Sequence, residues 1–139
     1  MKRLLLLLLL IIPFISFSQK VTYKNIIGTW EASDTSEKNQ HQEWRFTDSL
    51  QFFWLMLPGD AKKMSYSLDT LSNPTLLQLE FMSSKFKQVM HMYFFLKMTD
   101  TDTLRAQSGT GGFGGIKPAK WDDNETFRNT GIFVRKKVE

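Results

Sequence analysis

The sequence predicts a small all-β domain, an antiparallel up-and-down barrel of about eight strands, entered through a secretory signal. Three observations carry this. Short runs of aliphatic, aromatic and β-branched residues alternate with polar ones at a period of two, and polar turns separate the runs. Segments with helical periodicity are scarce. The N-terminus has the three-part layout of an export signal.

That layout is Met1-Lys2-Arg3, an unbroken apolar run from Leu4 to Ile12, and a small-x-small ending at Ser16 and Ser18. Residues 1–18 are read as the signal and residues 19–139 as one domain, with cleavage after Ser18. The apolar stretch from Leu4 to Phe17 is interrupted by Pro13 and falls short of the ~20 residues a spanning helix needs. No stable membrane span is therefore expected after cleavage, and the mature chain is expected outside the cytoplasm, periplasmic or secreted.

The chain carries 18 basic and 14 acidic side chains; losing Lys2 and Arg3 leaves 16 against 14. A nucleic-acid binder needs a dense basic face. Lys62-Lys63 and Arg135-Lys136-Lys137 are short clusters at strand ends, so no nucleic-acid partner is expected. There is no cysteine, so neither disulfides nor a lipid-modified N-terminal cysteine contribute. Stability must come from a hydrophobic core, and the 14% aromatic content supplies bulky fillers.

Eight strands are read in order. The first is Ile26–Ser33, followed by a polar loop over Asp34–Gln40. The second is His41–Phe46, where Trp44 and Phe46 alternate with Glu43 and Arg45. Thr47-Asp48-Ser49 turns into the third, Leu50–Leu57, which ends at Pro58-Gly59-Asp60. The fourth, Lys62–Leu68, sets Met64, Tyr66 and Leu68 on one face. Asn73-Pro74 opens the fifth, Thr75–Met82, with Leu77, Leu79 and Phe81 on one face. The sixth is Gln88–Met98, and Thr99–Asp102 turns it into the seventh, Thr103–Ser108. A glycine-rich, irregular stretch covers 109–129, and the eighth strand is Thr130–Val138. Short links favour antiparallel order, and eight strands can close a barrel and remove its edges.

Two strands break the in/out alternation. In the third, Leu50, Phe52, Trp54 and Met56 share one face, while Phe53, Leu55 and Leu57 make the other apolar too. In the sixth, Met90, Met92, Phe94 and Leu96 face Val89, His91, Tyr93 and Phe95. Either both sides are covered, by the core and by a loop such as 109–129, or one face lines a ligand cavity or meets a partner. Methionine suits an adaptable pocket and serves equally as core filler.

Ile26-Ile27-Gly28-Thr29-Trp30 resembles the Gly-x-Trp opening of the lipocalin and calycin superfamily. Further short motifs occur in the order of a small bacterial lipocalin-like family: Tyr66-Ser67-Leu68-Asp69, Pro74-Thr75-Leu76-Leu77-Gln78-Leu79, Asp102-Thr103-Leu104 and Lys117-Pro118. The resemblance implies a β-barrel binding module rather than an enzyme. It also implies that Trp30, with Gly28 before it, closes one end of the barrel beneath a basic residue of the last strand. Arg135 is that residue here.

Chemical motifs are weaker. Ser108–Gly115 is glycine-rich, but Ile116-Lys117-Pro118 follows where a phosphate loop needs Gly-Lys-Ser/Thr and a helix. A loop over the barrel mouth with Phe113 at its tip is the stronger reading, alongside a plain disordered loop. His41 and His91 lack metal-ligand spacing, and Asp122-Asp123-Asn124-Glu125 lacks the spacing of a calcium loop. His91 reads as a hydrogen-bonded core histidine or as a polar group gripping a ligand. No cofactor, metal or catalytic constellation is expected.

The expected function is binding of a small, mainly apolar ligand by Trp44, Phe46, Phe52, Trp54, Met90, Met92, Phe94 and Phe113. The alternative is an envelope protein–protein interaction module, using Phe53, Leu55, Val89, Tyr93 and Phe95 as an outward apolar face toward a protein partner or a second copy in a weak homo-oligomer.

Overall fold

The computed structural model describes residues 19–33, 41–57, 61–109, 116–123 and 130–137; the signal reading for 1–18 lies outside these. A one-turn helix, α1 (Tyr23–Ile26), precedes eight strands: β1 (Gly28–Ala32), β2 (His41–Phe46), β3 (Gln51–Leu57), β4 (Lys62–Asp69), β5 (Thr75–Ser83), β6 (Gln88–Asp100), β7 (Thr103–Ser108) and β8 (Thr130–Arg135). Each strand pairs antiparallel with the next, and β8 returns to β1, closing the barrel and leaving no free sheet edge among the described strands.

The alternation that predicted the strands also places the core. Trp30, Trp44, Phe46, Phe52, Trp54, Met64, Tyr66, Leu68, Leu77, Leu79, Met92, Phe94, Leu96, Met98, Leu104, Ala106 and Phe133 are buried in one cluster. Their spacing is two along β2 to β7, and cross-strand partners such as Trp44 with Trp54 and Leu79 with Met92 share the inward face.

α1 is absent from the sequence reading, because four residues are too few to show a helical period. Its signal is local. The Thr22 hydroxyl accepts from the Asn25 backbone N–H (3.3 Å), and the Asn25 side chain accepts from the Thr22 N–H (2.7 Å), a reciprocal cap. The helix lies across one end of the barrel. Ile26 is fully buried, Thr75 Oγ1 donates to the Val21 carbonyl (2.9 Å), and the Tyr23 hydroxyl accepts from the Leu68 N–H (2.7 Å). The starts of β1, β3, β5 and β7 gather at this plugged end; β2, β4, β6 and β8 begin at the opposite one.

Several boundaries differ from expectation. β1 starts at Gly28 rather than Ile26, because α1 occupies the residues before it. Leu50 is not a core strand residue: it stands at φ 58° in the turn before β3 and is 46% exposed. Met56, expected on the inward face with Phe52 and Trp54, is 43% exposed because β3 runs past the packed body of the barrel. β6 extends to Asp100 through a register shift after Met98.

The second apolar face of β6 is covered at Phe95, while Val89 stays exposed and His91 and Tyr93 are half-buried. Residues 116–123 run as a strap along the outward side of β6 and β7. Gln107 anchors it in both directions, donating to the Asp122 carbonyl and accepting from the Asp122 N–H, each at 2.8 Å. Trp121 lies over Lys97 Nζ (4.4 Å) and the Arg105 guanidinium (5.3 Å), and its indole N–H donates to Asp123 Oδ1 (2.6 Å). Phe95, the register partner of Gln107, is buried on this side although it points away from the core.

Candidate functional site

The plugged end is built around Trp30. Its indole N–H donates to the Ile26 carbonyl (2.8 Å). The Arg135 guanidinium stands 4.1 Å from the Trp30 ring centroid. Its Nη1 donates to the Ile27 carbonyl (2.8 Å), its Nη2 donates to the Asn25 carbonyl (2.6 Å), and its Nε lies 3.3 Å from Asp102. One side chain therefore caps the carbonyls at the end of α1 and stands over the indole ring. Gly28 is required beside it. Its φ is 129°, and a Cβ there would sit 2.9 Å from Arg135 Nη1. The three residues expected to close the barrel thus make one contiguous unit.

Above this plug the barrel interior is aromatic, with Trp44 at its centre. Phe133 stacks on Trp44 at 4.2 Å between centroids, and Phe94, Phe52, Trp54 and Phe46 meet it edge-on at 5.2, 5.5, 5.7 and 6.3 Å. Phe46 and Phe52 (4.9 Å) form the floor, closed by Tyr66, whose hydroxyl donates to the Thr47 carbonyl (3.0 Å).

Of the expected ligand contacts, Trp44, Phe46, Phe52, Trp54, Met92 and Phe94 are therefore gathered inside the barrel. Met90 is partly buried nearer the opposite end, paired with the partly buried Phe81. Phe113 lies outside the described residues. Phe133 and Tyr66 belong to the same ring cluster and were not singled out from the sequence. Phe133 sits on a last strand whose signal was its cationic end, and Tyr66 looked like ordinary alternation.

Comparison with family models, curated proteins and solved structures finds no match to this chain. The site must therefore be argued from its own geometry.

The informative atom is Trp44 Nε1. Trp30 and Trp121 both have acceptors for their indole N–H groups. Trp44 is 2% exposed, and its N–H has no hydrogen-bond partner among the described residues. An orphaned buried donor costs about 1–3 kcal/mol. Beyond it, toward the end opposite α1, the inward register positions are Gln42 beside Met56, Lys62 beside Trp54, and Phe81 beside Met90. That end is mixed in chemistry, unlike the apolar floor.

His91 is on the outer wall rather than in the core. Its Nδ1 lies 3.2 Å from Gln78 Nε2 and 3.8 Å from Glu80, and its ring stacks on Tyr93. The outward apolar residues do not form one face. Phe53 and Leu55 on β3 are separated from Val89 and Tyr93 on β6 by β4 and β5, whose outward positions include Lys63, Ser65, Ser67, Gln78 and Glu80.

Proposed function

We propose that this chain is an exported, lipocalin-like binding protein for a small, mainly apolar molecule that carries one hydrogen-bond acceptor. The observation supporting it is the unpartnered Trp44 N–H within a barrel lined by aromatic and methionine side chains. A carbonyl, ether or carboxylate oxygen would satisfy that donor, while the rings and Met92 would hold the apolar body. Phe46 and Phe52 serve as the floor, and the ligand enters from the side of Gln42, Phe81 and Met90. Export supplies the setting, periplasmic or secreted, in which the chain would meet such molecules.

Fluorescence titration of the exported protein with matched pairs of compounds tests this, each pair being a long-chain ketone or carboxylic acid and the corresponding hydrocarbon. The acceptor-bearing member should bind about tenfold more tightly, and Trp44→Phe should abolish that preference while leaving hydrocarbon affinity within a few-fold. Equal affinities for both members, or a preference that survives Trp44→Phe, would remove Trp44 from the site.

A further inference from the structure

The hairpin joining β5 to β6 projects from the end of the barrel opposite α1, and it is apolar at its tip. Met82, Phe86 and Val89 are 67%, 58% and 48% exposed. Met82 and Val89 are register partners on the outward face, and Phe86 sits in the turn between their strands. Single exposed apolar residues are ordinary, but three contiguous ones mark an interaction site.

The turn is fixed. The Lys87 N–H donates to the Ser83 carbonyl (2.8 Å), and the Phe86 N–H donates to Ser83 Oγ (3.2 Å). Lys87 holds φ 50°, a left-handed conformation that glycine or asparagine adopts at lower cost. Lys85, whose ammonium is 5.3 Å from the Phe86 ring centroid, flanks the tip on the other side. Exposed Lys62 and Lys63 begin β4, the strand beside β5, at the same barrel end. The acidic residue on this hairpin, Glu80, is set back along β5 beside His91.

We propose that this tip docks the barrel on a lipid bilayer with anionic headgroups. Phe86, Met82 and Val89 enter the boundary between headgroups and acyl chains, and Lys85, Lys87 and Lys63 lie at headgroup level with their stems along the apolar patch. A narrow, hydrogen-bonded turn with an apolar tip flanked by lysines matches an anionic bilayer surface in both chemistry and charge. The inference is independent of the Trp44 reading, since none of these side chains belongs to the interior cluster.

The test is flotation of the exported protein with vesicles, its N-terminus verified by mass so that no variant differs there. Equimolar phosphatidylglycerol and phosphatidylcholine should capture the protein, and phosphatidylcholine alone should capture it far more weakly. Lys85→Gln with Lys87→Gln should weaken capture about thirtyfold, as should raising the salt to about 1 M. Met82→Ser with Phe86→Ser should weaken it more than tenfold (about), while thermal unfolding stays unchanged because both side chains are exposed. Absence of capture by anionic vesicles, or capture that survives the Met82/Phe86 pair, overturns the proposal. So does a concentration-dependent dimer lost in that pair without any vesicle binding, which would make the tip a contact between copies.

Discussion

Arg135 lies over Trp30 at 4.1 Å from the ring centroid, and the same two residues are backbone register partners across the seam that closes the barrel. A stacked cation and two carbonyl caps at the end of α1 thus depend on one side chain, placed on the β1–β8 seam. Arg135→Lys keeps the charge but loses the planar fork, leaving the Asn25 and Ile27 carbonyls without their donors. We expect a loss of about 2–3 kcal/mol in denaturant unfolding. A loss under about 0.5 kcal/mol would show that water replaces the guanidinium freely.

Gly28→Ala should destabilise by about 2 kcal/mol or more, from a φ that L-residues avoid and from the clash with Arg135 Nη1 at 2.9 Å. Combined with Arg135→Ala, the steric part disappears and the backbone part remains. The double variant should therefore be less destabilised than the sum of the singles. Strict additivity would mean the two residues do not meet in solution.

Gly131 sits beneath the ring that stacks on Trp44. A Cβ at this position would lie 2.8 Å from Phe133 Cε2. Gly131→Ala should displace Phe133 from Trp44, lower stability by about 1–3 kcal/mol and change tryptophan emission. Unchanged emission would place Phe133 elsewhere.

The strap should release in acid. The Trp121 indole N–H holds the Asp123 carboxyl below its ordinary value; desolvation opposes it, and Lys97 and Arg105 add smaller lowering effects. Because the folded value is depressed, docking is stabilised above the ordinary carboxylate range and lost as pH falls through the folded value. Trp121 emission, isolated by difference against Trp121→Phe, should change as pH falls below the ordinary carboxylate range. Asp123→Asn should flatten that transition. An unaffected transition would assign it to another group, Asp100 being the nearest alternative because the Asp102 N–H also lowers its carboxyl.

Strand order, the inward set Trp44, Phe46, Phe52, Trp54, Met92 and Phe94, and the closed barrel were legible because a period of two and short turns leave few other arrangements. The ends were not. Leu50 looked like strand, but whether a residue beside Ser49 enters the ladder or takes a left-handed turn is decided by closure with Tyr66, whose N–H donates to the Leu50 carbonyl (3.0 Å). The double-sided apolar face of β6 was legible as an anomaly. Cover by the 109–129 stretch was one of its two readings, and residues 116–123 lie on that side at Phe95; what holds them there was not legible, because Gln107 gripping the backbone of Asp122 leaves no periodic trace. The Trp44 donor was equally hidden, since the sequence says that an indole is buried and nothing about what its nitrogen meets.

Native mass spectrometry of the protein exported from a bacterial host tests the central claim most directly. The account expects a monomer carrying a small-molecule adduct with an oxygen acceptor, and about tenfold weaker retention of that adduct in Trp44→Phe. An empty monomer that also takes up no acceptor-bearing apolar compound on incubation would contradict it.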